Sequence, residues 1–203
     1  MGPCLRYINI KMKRVFIIHG WEGNPNNAWF PWLRKELETR GFEVQAPAMP
    51  NPDEPDKDSW VAYLSQMVGI PDSDTYLIGH SIGCKAIMRY LESLPDNNQI
   101  GGVIFVASWL ILTHMEDRTD DEKRVVTAWS NPPYDFPKIK KIGNKFVAIF
   151  SDDDPEVPLE NTKVFEKEFG AKIIVESGKG HFSDDAEVFE LPVVLEELLK
   201  MAE

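Results

Sequence analysis

Acyl-transfer chemistry needs a nucleophile, a base to take its proton and an acid to hold that base in the right tautomer. In this chain the serine that stands out is Ser81, at the centre of Gly79-His80-Ser81-Ile82-Gly83. A chain of this length meets G-x-S-x-G by chance about one time in fifteen, so the flanking residues carry the weight. Tyr76, Leu77 and Ile78 precede it as a short apolar run suited to a buried parallel strand. Ile82, Ala86, Ile87, Tyr90, Leu91 and Leu94 follow at helical spacing. Strand, tight turn and helix are the context of a nucleophile elbow. The serine backbone must then be strained, and only glycine on both sides lets strand and helix approach so closely.

The chain has four histidines. His19 and His80 each adjoin a glycine, where a backbone role is expected to outweigh the ring, and His114 lies in a polar insertion. His181, in Ser177-Gly-Lys-Gly-His-Phe182, follows the last apolar strand and is the expected base. The orienting acid is expected from Ser151-Asp152-Asp153-Asp154-Pro155-Glu156-Val157-Pro158, where two prolines stiffen an aspartate run. Asp154, in the D-P-x-V-P position, is the first choice and Asp153 the second. The chain order Ser81, Asp154, His181 is that of the α/β-hydrolases.

These loops need a frame, and the chain alternates strand and helix from Arg14 onward. Strands are expected at 15–18, 42–46, 76–78, 103–107, 146–150 and 172–176. Helices are expected from about Ala28 to Gly41 (Trp29, Leu33 and Leu37 on one face) and after a cap at Asp58 (Trp60, Leu64 and Val68). Another should follow Ser81, a fourth carries Leu159, Thr162, Phe165 and Phe169, and a last one runs from about Ala186, interrupted near Pro192. This predicts an α/β class: a three-layer α/β/α sandwich around a six-stranded, mainly parallel sheet. With strand order 2-1-3-4-5-6, strands one and three meet at the switch point, where ligands bind beyond the carboxyl ends. The loop after strand one (His19–Asn27) and the loop carrying Ser81 would then be neighbours.

The net charge of -11 argues against nucleic acid or an anionic membrane as the main partner. Cys4 and Cys84 provide neither a disulfide framework nor a metal-ligand spacing. A reduced, cytoplasmic setting is therefore expected, with no metal and no cofactor. No apolar run reaches transmembrane length. Arg6, Asn9 and Lys11 spoil residues 1–11 as a secretory segment, and the start of the chain does not meet the myristoylation pattern. Residues 1–12 read as a dispensable leader, with Met12 a natural start, and residues 13–203 as a single domain.

Phe16-Ile-Ile-His-Gly20, Trp29-Phe-Pro-Trp-Leu33, Met49-Pro-Asn-Pro52, Gly79-His-Ser-Ile-Gly83, Asp153-Asp-Pro-Glu-Val-Pro158 and Gly180-His-Phe182 together carry a resemblance. From about Lys13 to the C-terminus the chain resembles the small α/β-hydrolases of the YdeN / retinoblastoma-binding protein 9 serine hydrolase family. The resemblance implies a compact fold without a large lid domain, and a triad of Ser81, Asp154 and His181. The mammalian relative's L-x-C-x-E segment has no counterpart here, so binding to a retinoblastoma-type pocket protein is not implied.

The expected reaction is hydrolysis of a small acyl substrate, a carboxylic ester first, through an acyl-enzyme. The backbone N–H groups of Trp21 and Ile82 would form the oxyanion hole. Trp29, Trp109 and Phe182 are candidates for the substrate pocket, and the long segment 108–141 for a short cap. Amidase or aminopeptidase-type hydrolysis is an alternative, and so is a non-catalytic binding module on the same scaffold. A flavodoxin-like phosphate or flavin binder is disfavoured, because Glu22 stands where a phosphate loop would be Ser/Thr/Gly-rich. The sequence is silent on oligomeric state.

Overall fold

A computed structural model describes residues 12–203. The reading of residues 1–12 as a leader falls, except for Met12, outside the described residues. In chain order the elements are β1 (Arg14–Ile18), α1 (Phe30–Glu38), β2 (Glu43–Gln45), α2 (Lys57–Val68), β3 (Thr75–His80), α3 (Ile82–Ser93), β4 (Gly102–Val106), α4 (Asp120–Ser130), α5 (Phe136–Gly143), β5 (Phe146–Ser151), α6 (Glu160–Phe169), β6 (Lys172–Glu176) and α7 (Pro192–Met201). The six strands form one sheet in the order β2-β1-β3-β4-β5-β6, and every neighbouring pair is parallel. The structure therefore has the expected class and strand order, and the described residues form no large lid.

Side chains alternate across a strand, so a strand buried on both faces must be largely apolar. In β1, Val15 and Ile17 join a core with α1 and α7, including Trp29, Leu33, Leu37 and Leu198. Phe16 and Ile18 face the opposite core, with Trp60 and Leu64 of α2, Ile87 of α3 and Phe165 of α6. The sheet is thus covered on both faces. That requirement is why β3, β4 and β5 have no exposed residue.

Several boundaries differ from the sequence expectation. Helix α1 starts at Phe30 with Trp29 as its N-cap, because Ala28 has φ 46° and cannot belong to a right-handed helix. Helix α2 is capped by Asp56 and not by Asp58: the Asp56 carboxylate accepts the Ser59 N–H at 2.8 Å, and Asp58 falls in the first turn. In α6 the buried face is Asn161, Phe165 and Phe169, whereas Leu159 is 39% exposed. Residues 186–191 are not helical, and Pro192 opens α7. Proline suits the first turn, where its missing N–H would have had no partner.

Among the described residues, no helix is long and apolar enough to cross a membrane.

Candidate active site

β3 ends at His80, α3 begins at Ile82, and Ser81 between them has φ 52° and ψ -120°. Left-handed backbone at a non-glycine residue is strained and persists only where the surroundings impose it. Here the packing imposes it. A Cβ on Gly79 would stand 2.8 Å from the Cys84 backbone, and one on Gly83 would run into the Ile18 carbonyl and lie 2.5 Å from the His19 carbonyl. Glycines at both positions therefore let α3 press against β1 and β3. The Ser81 N–H is tied to the Val106 carbonyl at 2.9 Å, which anchors the turn on β4.

The backbone N–H groups around the turn divide into engaged and free. Glu22 N–H donates to Pro52 O at 2.9 Å and Gly23 N–H to Gly20 O at 3.2 Å. Among the described residues, the backbone N–H groups of Trp21 and Ile82 have no hydrogen-bond partner. Ile82 is the first residue of α3, where aligned peptide dipoles favour negative charge.

His181 follows β6 and Asp154 follows β5, so adjacent strands bring their loops together. The His181 Nδ1–H donates to Asp154 Oδ2 at 2.9 Å, with Oδ1 at 3.1 Å. The Asp154 side chain is 1% exposed and that of His181 21%. A carboxylate only accepts, so Nδ1 carries the proton and Nε2 is left with its lone pair. Asp154 Oδ1 also receives the N–H groups of Glu156 at 2.9 Å and Val157 at 3.1 Å, which fixes the carboxylate plane.

The other two aspartates staple this loop to the one carrying His181. Asp153 Oδ1 accepts the Ser151 hydroxyl at 2.6 Å and the Gly180 N–H at 2.8 Å. Those bonds, the Ser151 hydroxyl first, hold its carboxyl below the ordinary range. Asp152 accepts the Ser177 hydroxyl at 2.8 Å and the Gly178 N–H at 2.9 Å. Asp154 is the one of the three whose carboxylate meets the His181 ring.

His19 and His80 correct the sequence expectation, because both rings are used. His19 Nδ1–H donates to Gly20 O at 2.8 Å, and its Nε2 accepts the Met49 N–H at 2.9 Å. Burial lowers its pKa. His80 Nε2–H donates to the His181 carbonyl at 2.8 Å, and the two imidazole centroids are 5.0 Å apart. Burial, and then the neighbouring His181, push its pKa down to about 3, so it is neutral. His114 is exposed beside Asp117. With Glu116 these two form the one group of metal-type side chains found among the described residues, and all three are exposed.

Ser81, Ile82 and His181 line a cavity of about 460 Å³, together with the apolar surfaces of Trp21, Phe30, Trp109, Leu112, Val126 and Phe182. Trp29 does not reach it, which corrects the expected pocket. Its ring is fully buried, and its indole N–H donates to Phe182 O at 3.2 Å. Phe30, one residue on, takes the place beside the cavity. The segment 108–141 contributes Trp109, Leu112, Arg118, Glu122 and Val126, so it forms one wall. Trp129 and Tyr134, from the same segment, belong to the core.

A scan against family models matches the serine hydrolase model over residues 15–200. The chain belongs to the serine hydrolase family. It is 32% identical over 186 residues to YdeN of Bacillus subtilis, covering 92% of this chain and 94% of YdeN. It is 29% identical to the serine hydrolase RBBP9 of Rattus norvegicus, covering 87% of this chain and 89% of that protein. The crystal structure of the B. subtilis ydeN gene product superposes with a TM-score of 0.84 over 94% of this chain and 98% of that one. Est1E from Butyrivibrio proteoclasticus, at 18% identity and a TM-score of 0.70, shares the fold. The serine hydrolase described here is therefore an enzyme built on the α/β-hydrolase fold.

Lys85 and Asn161 are among the buried polar groups of this hydrolase that sequence reasoning missed. Lys85 in α3 has no exposed surface, and its ammonium has no hydrogen-bond partner among the described residues. It lies 3.9 Å from the Trp109 ring centroid and 5.0 Å from that of Tyr134. Its place among the apolar residues of α3 was the available signal. Asn161 is fully buried as well, and an asparagine in the first turn of a helix gives no such sign.

Proposed function

We propose that this serine hydrolase cleaves small acyl esters through Ser81, His181 and Asp154. The observation that carries the reading is the His181–Asp154 contact at 2.9 Å, made by a buried carboxylate, in a ring that lines the same cavity as Ser81. His181 Nε2 takes the proton as Ser81 Oγ attacks the acyl carbonyl. Asp154 keeps Nδ1 protonated and stabilises the imidazolium. The free N–H groups of Trp21 and Ile82 receive the oxyanion, with the α3 dipole behind Ile82. The imidazolium then gives its proton to the leaving alcohol, and water, deprotonated by the same ring, releases the acid. A carboxylic ester is favoured because Trp21, Phe30, Trp109, Leu112, Val126 and Phe182 give the cavity apolar surface beside its polar residues, and about 460 Å³ accommodates a short or aromatic acyl group.

A fluorophosphonate probe tests the nucleophile. Labelling should map to Ser81 and disappear in Ser81→Ala, together with turnover of p-nitrophenyl acetate. An unlabelled wild-type protein favours the non-catalytic scaffold, and turnover that survives in Ser81→Ala removes the assignment.

A further inference from the structure

One wall of the cavity is an irregular run of chain. Residues 107–119, which contain Trp109 and Leu112, lie in neither helix nor strand. A stretch without a regular ladder must find other partners for its backbone polar groups. Asn161, fully buried in the first turn of α6, supplies them. Its Oδ1 accepts the N–H groups of Leu110 at 2.7 Å and Ile111 at 2.9 Å. Its Nδ2 donates to the carbonyls of Ile111 and Pro158, both at 2.9 Å.

Two acceptor sites and two donors are all that a side-chain amide has, and all four are used. The partners also dictate which atom is oxygen and which nitrogen, since two are N–H groups and two are carbonyls. One side of this junction is the wall; the other, Pro158, closes the loop that carries Asp154. Further ties run parallel to it, among them Thr113 N–H to Glu156 O at 3.0 Å, the Thr113 hydroxyl to the Pro155 and Glu156 carbonyls, and the Arg118–Glu156 ion pair. Behind the wall, Lys85 backs the Trp109 ring at 3.9 Å.

We infer that Asn161 is a positioning residue that locks the acyl-side wall, Trp109 and Leu112, to the loop holding Asp154, and thereby sets which acyl groups the enzyme accepts. This rests on the proposed hydrolytic site. A wall held in register with the acid gives the acyl pocket a fixed depth measured from the reacting carbonyl. Released, the wall yields to larger groups. Asn161→Asp is the sharpest probe, because it keeps the shape but turns a donor toward two carbonyls into a second acceptor. Asn161→Ala removes all four bonds.

The readout is the ratio of kcat/KM for p-nitrophenyl octanoate to that for p-nitrophenyl acetate, which cancels losses common to both esters. In folded Asn161→Asp and Asn161→Ala the ratio should rise at least fivefold. In the Asp variant alone it should fall back on acidification, as the protonated carboxyl regains a donor. Leu112→Ala, which cuts the wall directly, should shift the ratio the same way. An unchanged ratio in a folded Asn161 variant overturns the inference. Failure of the wild type to label at Ser81 would instead remove the hydrolytic reading beneath it. If neither Asn161 variant folds, hydrogen exchange in the wild type decides: the Leu110 and Ile111 amides should exchange at least 100-fold slower than free peptide. Exchange at the free rate overturns the inference.

Discussion

Lys85 gives the most quantitative test of the packing. Its ammonium has no hydrogen-bond partner among the described residues and faces the Trp109 and Tyr134 rings. Burial first, and then the Arg89 charge, push its pKa from 10.5 down to about 7 against a small opposing effect of Cys84. Below pH 7 both folded and unfolded chains carry the proton, and the cost of burying it is fully present. Between the folded and unfolded values the unfolded chain binds the extra proton, so stability rises with pH; above 10.5 the cost is gone. A shift of 3.5 units (10.5 minus 7) corresponds to a cost of about 5 kcal/mol at low pH. The two aromatic faces return ~1–2 kcal/mol of this to the charged form. Lys85→Met keeps the volume and removes the titration. The variant should therefore be more stable than wild type by about 3 kcal/mol at pH 6, and the gap should close by about 2 kcal/mol by pH 9. Urea unfolding of both proteins at pH 6, 7.5 and 9 and constant ionic strength measures this, since titrations shared by the two proteins cancel. Parallel stability curves, or a wild type more stable at pH 6, would refute the argument that an unpartnered ammonium is buried there.

Other outcomes follow from single contacts. Asp154→Asn should lower kcat for p-nitrophenyl acetate by up to about 10⁴-fold, through loss of the Nδ1–H tautomer. Asp153→Asn, which keeps an oxygen for Gly180, should cost under about 10-fold on the same triad logic; the reverse order in steady-state kinetics would reassign the acid. Gly83→Ala forces a methyl against the Ile18 and His19 carbonyls and should cost about 3 kcal/mol or more. That is a drop in melting temperature of roughly 6–12 °C, and an unchanged melt contradicts the close approach. His80, neutral when folded with its pKa near 3, should make the protein lose about 1.4 kcal/mol per pH unit on acidification from 6.5 toward 3. Comparing acid unfolding of wild type and His80→Gln isolates that contribution.

What the sequence alone determined was whatever local chemistry dictates. Strand positions followed from apolar runs, because a strand covered on both faces is largely apolar; even the edge strand β6, with Ile173, Ile174 and Val175 between Lys172 and Glu176, was delimited to the residue. The elbow was legible because the turn after β3 tolerates no Cβ at residues 79 and 83. Ser81, His181 and Asp154 could be nominated because each sits where a βα loop leaves the carboxyl end of the sheet. Tertiary structure decided matters between residues distant in the chain. Which of three adjacent aspartates meets His181 depends on how the loops after β5 and β6 are stapled, and Asp152 and Asp153 do the stapling. Whether Trp29 or Phe30 reaches the cavity turned on a two-residue shift in the start of α1. Asn161 and Lys85 were invisible because burial of a polar group is tolerated or costly according to its partners. Those partners, 50 residues away for Asn161 and 24 for Lys85 (109 minus 85), come into reach only when the chain folds.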